Sequence, residues 1–199
     1  MTLKLFFASL LILASSVGLA QTPFRPQRVK PTPVPHIDRN ARFRGLNQKT
    51  SIKMADYQGK VVVLALWASW CPACREVVTA LESVHKDLGS RGVAVIALST
   101  EPQQEEKEVR RVLSYTNITY QTGWISTISA DNLMAGQEVL PQVFVIKDGV
   151  ILKRFEGWDP MKTLTPLRES LEKLLDQKSA TLEPGSPATV ARETSRREK

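Results

Sequence analysis

The sequence predicts an α/β domain with a mixed central sheet and helices on both faces. Three observations carry that expectation. Val61–Trp67 and Val93–Leu98 are continuous apolar runs of strand length, the pattern of strands covered on both faces. Between them Val77, Leu81, Val84 and Leu88 fall on one helical stripe. Further on, Val143–Ile146 and Val150–Phe155 flank Lys147, Asp148 and Gly149, and Asp-Gly between apolar runs is a strong hairpin signal.

Taken in order, Gly59 and Lys60 punctuate the chain before the first run, whose β-branched start favours a strand. The helix that follows ends at Gly89 and Gly92. Gln103–Tyr115 is rich in charge, with Val109, Val112 and Leu113 as its apolar positions, and reads as a surface helix. Leu164, Leu167, Leu171, Leu174 and Leu175 make a closing amphipathic helix. Strand, helix, strand, helix, hairpin and helix in that order imply the mixed sheet.

The flanks differ in composition. Lys4, the apolar stretch Leu5–Ala14 and the small residues Gly18 and Ala20 form the three parts of a secretory signal over residues 1–20, with cleavage expected after Ala20. The competing reading is a retained membrane tether, although the 16 residues Leu5–Ala20 fall short of the ~20 that span a bilayer. Residues 21–42 are a basic, proline-rich linker, residues 43–176 the folded domain and residues 177–199 a disordered polar tail. The expected location is therefore periplasmic or extracellular, where disulfides persist.

Charge excludes one class of partner. The chain of 199 residues has a net charge of +7, yet residues 43–176 hold 16 basic and 16 acidic side chains. The excess is a property of the flanks, whereas a nucleic-acid-binding fold concentrates it on a folded face. No nucleic-acid partner is expected, and the domain is read as a monomer.

The chemistry lies in Trp67–Arg75. Cys71 and Cys74, the two cysteines of the chain, stand where the first buried strand gives way to its helix. A helix N-terminus offers unpaired N–H groups and the positive end of the macrodipole, which favour a thiolate. Pro72 suits a first helical turn, and Arg75 adds a positive charge. In this arrangement the first thiolate attacks a substrate disulfide and the second cysteine resolves the mixed disulfide. A zinc site needs four ligands, and only His36 and His85 supplement the cysteines, so no metal and no cofactor are expected. A purely structural disulfide would close a very small loop and remove little chain entropy. His85, Trp124 and Trp158 read as packing residues, and Trp67 and Trp70 as core and rim aromatics, with Trp70 placed to shape the surface beside Cys71.

Gly59-Lys60-Val61 leading into Trp67-Ala-Ser-Trp-Cys-Pro-Ala-Cys-Arg75 resembles the thioredoxin fold, and more closely the secreted TlpA/ResA-like thiol-disulfide oxidoreductases. Val139-Leu-Pro-Gln-Val-Phe-Val-Ile146 followed by Asp148-Gly149 is similar to that family's cis-proline strand and final hairpin. The resemblance covers residues 43–176. It implies Cys71 as nucleophile, Cys74 as resolving thiol, the two forming the redox-active disulfide, and Leu140-Pro141 as a cis peptide that faces them. Trp70, Pro72, Leu140 and Pro141 would then contact substrate. The implied partners are client proteins with cysteines or disulfides and a membrane thiol-electron donor, and the implied working direction is reduction.

The departures are specific. Thioredoxin carries Gly-Pro between its cysteines where this chain has Pro72-Ala73, and a buried aspartate where it has Ala65. The glutamate that TlpA/ResA-like proteins place three residues after the second cysteine is Val77 here, and the nearest acid, Glu76, falls on another helical face. The helix-kinking proline of that family is missing from Val78–Leu81. A peroxidase would need Thr or Ser where Ala68 stands. The alternative to an enzyme is a non-catalytic binding or copper-delivery domain with a stable Cys pair.

Overall fold

The computed structural model describes residues 36–46 and 50–182. Within them the chain runs β1 (Arg42–Gly45), β2 (Ser51–Lys53), β3 (Val61–Trp67), α1 (Pro72–Leu88), β4 (Val93–Ser99), α2 (Glu106–Ser114), β5 (Gln121–Trp124), α3 (Thr127–Met134), β6 (Gln142–Lys147), β7 (Val150–Glu156) and α4 (Thr165–Leu182). The seven strands form one sheet in the order β2-β1-β5-β4-β3-β6-β7. β3, β4 and β5 are parallel, and the remaining pairs are antiparallel. The fold is thioredoxin-like, with helices on both faces as the sequence predicts.

The unbroken apolar run of β3 serves two cores at once. Val61, Val63, Ala65 and Trp67 pack under α1, α2 and α4 on one face, while Val62, Leu64 and Leu66 join Ala130 of α3 and the N-terminal residues Ile37, Phe43, Ile52 and Met54 on the other. Each fully buried aliphatic side chain of this kind contributes about 1.5–3 kcal/mol. The predicted stripe of α1 (Val77, Leu81, Val84, Leu88) is buried along its length. The predicted surface helix begins as a 3-10 turn at Gln103–Glu105 before α2. In the hairpin, Asp148 and Gly149 have φ of 51° and 84°, the left-handed pair that a tight two-residue turn requires. Asp159 caps a π-helical turn over Pro160–Leu164, accepting from the N–H groups of Met161 and Lys162. That turn leads into α4, where Leu167, Leu171 and Leu175 are buried.

Both expected domain boundaries shift outward. His36 bridges Val150, the Ile37 N–H donates to the Gly149 carbonyl at 2.8 Å, and Ile37 is buried, so residues 36–42 belong to the fold rather than to the linker. The basic composition of the stretch masked a single apolar anchor. At the other end α4 runs on to Leu182, past the expected limit at Asp176. The secretory signal, the proline-rich segment before His36 and the tail after Leu182 lie outside the described residues.

Four elements have no clear signature in the sequence. β1, β2 and β5 are three or four residues long, too short to show a period. α3, with Ser, Asp and Asn in its eight residues, draws on Ser126 as its N-cap, whose Oγ accepts from the Ser129 N–H. Gly123 lets β5 and β1 approach. A Cβ there would lie inside van der Waals contact of the Arg44 carbonyl and 3.0 Å from Ile52 Cδ1.

Two buried polar residues tie α1 to the segment before β5. Glu82 accepts from the N–H and the hydroxyl of Thr119, each at 2.8 Å, and pairs with Lys86 at 3.3 Å. Tyr120 donates its hydroxyl to the Val78 carbonyl and meets His85 edge-on at 5.9 Å. Burial, with Glu82 nearby, raises the Tyr120 pKa. Burial also pushes the Glu82 carboxyl up, but the Thr119 donors and Lys86 outweigh it and hold it below its ordinary value.

Two outcomes follow for stability. Gly123→Ala should cost about 1–3 kcal/mol by overpacking, read as a lowered thermal midpoint. The contribution of Glu82 is present above roughly pH 4.3, the usual glutamate value, and is lost as pH falls through its lowered folded value. Glu82→Gln should therefore flatten the acid limb of a stability-versus-pH curve while lowering stability at neutral pH.

Candidate active site

Three parallel strands end in one row. Trp67 of β3 pairs in register with Ser99 of β4, and Ser99 with Trp124 of β5. The loops leaving these residues share one edge of the sheet, and β6 enters beside them, with Gln142 opposite Leu66.

After Trp67 the chain makes a short turn in which the Cys71 N–H donates to the Ala68 carbonyl at 3.2 Å. Cys71 then serves as N-cap of α1, with Pro72 in the first turn and no acid there. The Cys74 N–H points at Cys71 Sγ at 3.2 Å. In a reduced site this hydrogen bond and the helix dipole both favour a thiolate at Cys71. Cys71 and Cys74 are at disulfide distance, with Cα atoms 5.2 Å apart. They differ in access: Cys71 is 6% exposed and Cys74 0%.

The Leu140-Pro141 peptide is cis, and the Leu140 carbonyl oxygen lies 3.9 Å from Cys71 Sγ. The Pro141 carbonyl is taken up by the Gly157 N–H at 2.8 Å. Trp70 is 70% exposed, and Val139 and Pro72 are exposed as well. Trp70 and Pro72 flank Cys71 in the chain, while Leu140 is half-buried and Pro141 buried. Trp67 is fully buried. Trp124 is buried beneath the Arg44 guanidinium, 4.0 Å from its ring centroid. Trp158 packs against the core shared by α1 and α4. Ala65 and Val77 are fully buried, whereas Glu76 and Arg75 are exposed.

Two residues that sequence reasoning missed hold the site's loops. Gln142, buried in β6, donates its side-chain amide to the Val139 carbonyl at 3.0 Å and the Gln137 carbonyl at 3.4 Å. It fixes the approach to the cis peptide. Glu101, 7% exposed, accepts from the Ser69 N–H and the Ser69 hydroxyl, each at 2.6 Å, and from the Ser99 hydroxyl at 3.0 Å. It fixes the turn ahead of Cys71. The available signal was an acid two residues beyond the end of a buried strand, which by itself resembles any surface loop.

An internal carboxylate partner for Cys74 is not supplied by α1. A proton acceptor in reach contributes ~100-fold or more, so Glu76→Gln should change turnover less than ~3-fold, a loss under ~0.7 kcal/mol. Val77→Glu should instead lower stability by several kcal/mol, because it buries an unpaired carboxylate in the core. Steady-state disulfide reduction and chemical denaturation check the two.

The assembled fold and site permit comparison with known proteins. Thioredoxin-like protein YneN of Bacillus subtilis is 34% identical over 74 residues, which are 37% of this chain and 42% of that protein. Thiol-disulfide oxidoreductase ResA of Bacillus thuringiensis is 25% identical over 124 residues, 62% of this chain and 68% of that protein. The chain thus spans less than half the length of YneN and about two thirds of ResA. A thiol:disulfide interchange protein of the thioredoxin family from Chlorobium tepidum superposes with a TM-score of 0.59 at 22% identity, covering 73% of this chain and 97% of that one. At that identity the likeness is one of fold. A family match over residues 34–154 takes in the anchor at Ile37, the cysteine pair and the hairpin, and with the thioredoxin-like architecture it establishes that the chain belongs to the AhpC/TSA family.

Proposed function

We propose that the protein is an extracytoplasmic thiol-disulfide oxidoreductase that works as a reductant. The observation that carries this reading is the Cys71–Cys74 pair at the N-terminus of α1, with the more accessible sulfur 3.9 Å from the carbonyl of a cis Leu140-Pro141 peptide. The Leu140 carbonyl beside Cys71 is a backbone acceptor with which an extended client segment can align, and the exposed Trp70 and Pro72, on either side of Cys71 in the chain, offer apolar contact.

The chemistry balances as follows. The Cys71 thiolate attacks one sulfur of a client disulfide, the client S–S bond breaks, and the released client thiolate takes a proton. The Cys74 thiolate then attacks Cys71 Sγ, which expels the second client thiolate and closes the Cys71–Cys74 disulfide. Two electrons pass to the client. A membrane dithiol donor restores the reduced pair. Supporting export is the signal-like segment over residues 1–20. Ala68 at the turn lacks the hydroxyl that a peroxidase would place there, so the reading favours disulfides over peroxides as substrate.

Cys71→Ser should abolish reduction of insulin disulfides, while Cys74→Ser should accumulate client mixed disulfides, since attack remains possible and resolution does not. Full activity in Cys71→Ser would defeat the enzyme reading. A potential of about −120 mV, the DsbA value, rather than about −270 mV, the thioredoxin value, would reverse the direction.

A further inference from the structure

Glu101 is a buried carboxylate with no part in the exchange chemistry, and its position is informative. The backbone ladder between β3 and β4 continues past the strand ends: the Thr100 N–H donates to the Trp67 carbonyl at 3.0 Å. The next donor on the β3 side, the Ser69 N–H, meets the Glu101 carboxylate where a backbone carbonyl would otherwise stand. Ser69 and Ser99 are themselves buried. All three groups that reach Glu101 are donors, two hydroxyls and one amide, so the arrangement is complementary to the anionic form. The carboxylate is thus held two residues ahead of Cys71 on the turn that delivers the cysteine to α1, and its own N–H is anchored to Ser99 Oγ at 3.1 Å. Arg42 and Arg44 line a cleft with Glu101, Trp124 and Ser129. Arg44 is already engaged with Glu106 at 2.7 Å.

We propose that Glu101 is a positioning residue of the dithiol site, with two effects, one through its bonds to Ser69 and one through the field of its charge. Its hydrogen bonds fix the Ala68–Trp70 turn and hence the direction of Cys71. Its negative charge, buried where solvent screens it little, opposes the thiolate that the helix N-terminus favours. A less stabilised thiolate makes the reduced state a better electron donor, the converse of an oxidant whose reduced form is stabilised. Glu101 therefore biases the pair toward giving up its electrons, that is, toward the disulfide. The charge opposing Cys71 comes from the loop after β4, across the sheet edge, rather than from α1.

This inference rests on the proposed redox role, but its test does not require turnover, because any vicinal pair equilibrates with glutathione. Glu101→Gln is nearly isosteric. Its carbonyl can accept from the Ser69 N–H and Ser99 hydroxyl, and its amide can donate to a rotated Ser69 hydroxyl, so the clamp persists without the charge. The full chain should then show an equilibrium with glutathione shifted three- to tenfold toward the dithiol, about 14 to 30 mV at 29.6 mV per tenfold. The pH midpoint of Cys71 alkylation should fall in parallel. Glu101→Ala should show the same direction of shift and also lose more than tenfold in the rate of exchange with a small disulfide, as the turn loosens; Glu101→Asp should recover part of that rate. An equilibrium constant within twofold of wild type in Glu101→Gln, with native circular dichroism, would overturn the electrostatic role. Unchanged exchange rate in a folded Glu101→Ala would overturn the positioning role. Failure of the wild type to reduce insulin, with these shifts intact, would defeat the proposed function and leave the Glu101 assignment standing.

Discussion

Every feature of the site depends on β3 being buried on both faces between β4 and β6. A strand with water on one side can slip by two residues and still bury the same face. With Val63, Ala65 and Trp67 fitted under α1 and Val62, Leu64 and Leu66 fitted over the opposite core, β3 has no such freedom, since a slip misplaces large side chains in two close-packed layers at once. The end of β3 at Trp67 is thereby set, and with it the point where the chain turns into Cys71. The same register places β6 so that Leu140-Pro141 arrives opposite that turn.

The loops at this edge have left regular structure, and their backbone groups still need partners. Each solution is a side chain or an off-ladder contact: Glu101 for Ser69, Gln142 for the carbonyls of Val139 and Gln137, Gly157 for Pro141. These bonds tie down irregular backbone that has no ladder of its own. A dithiol needs that firmness, because attack and resolution both require a sulfur to be met along a narrow approach. The rim is built on the opposite principle, with Trp70 and Val139 left exposed.

Charge near the cysteines is distributed unlike the family the sequence resembles. Ala65, where thioredoxin carries an aspartate, and Val77, where TlpA/ResA-like proteins carry a glutamate, are apolar and fully buried here. Glu82, one turn and more beyond Val77, is buried but spent on Thr119 and Lys86. The carboxylate bonded to the cysteine turn is Glu101, contributed by the loop after β4. Thioredoxin-like sites can thus hold the same two sulfurs in the same frame and still differ in which element supplies the nearby field.

The α/β class, the paired cysteines at a strand-to-helix turn, the stripe of α1, the Asp148-Gly149 hairpin and the exposure of Glu76 are legible in the chain alone. These are local properties, written in periods of two or 3.6 residues or in a turn dipeptide. The sequence also misdrew the domain's edges, because one buried side chain, Ile37, outweighs a basic and proline-rich neighbourhood that composition averages over. The short strands β1, β2 and β5 come from the fold, since their three or four residues have little preference until a neighbour offers its hydrogen bonds. Only the fold joined Cys71 to Leu140 across 69 positions and Ser69 to Glu101 across 32. A glutamate after a strand and a serine before a cysteine carry no mark of each other in the chain. Their pairing exists because the parallel register of β3 and β4 brings both strand ends to one row, and there a buried N–H with no carbonyl to meet requires an acceptor.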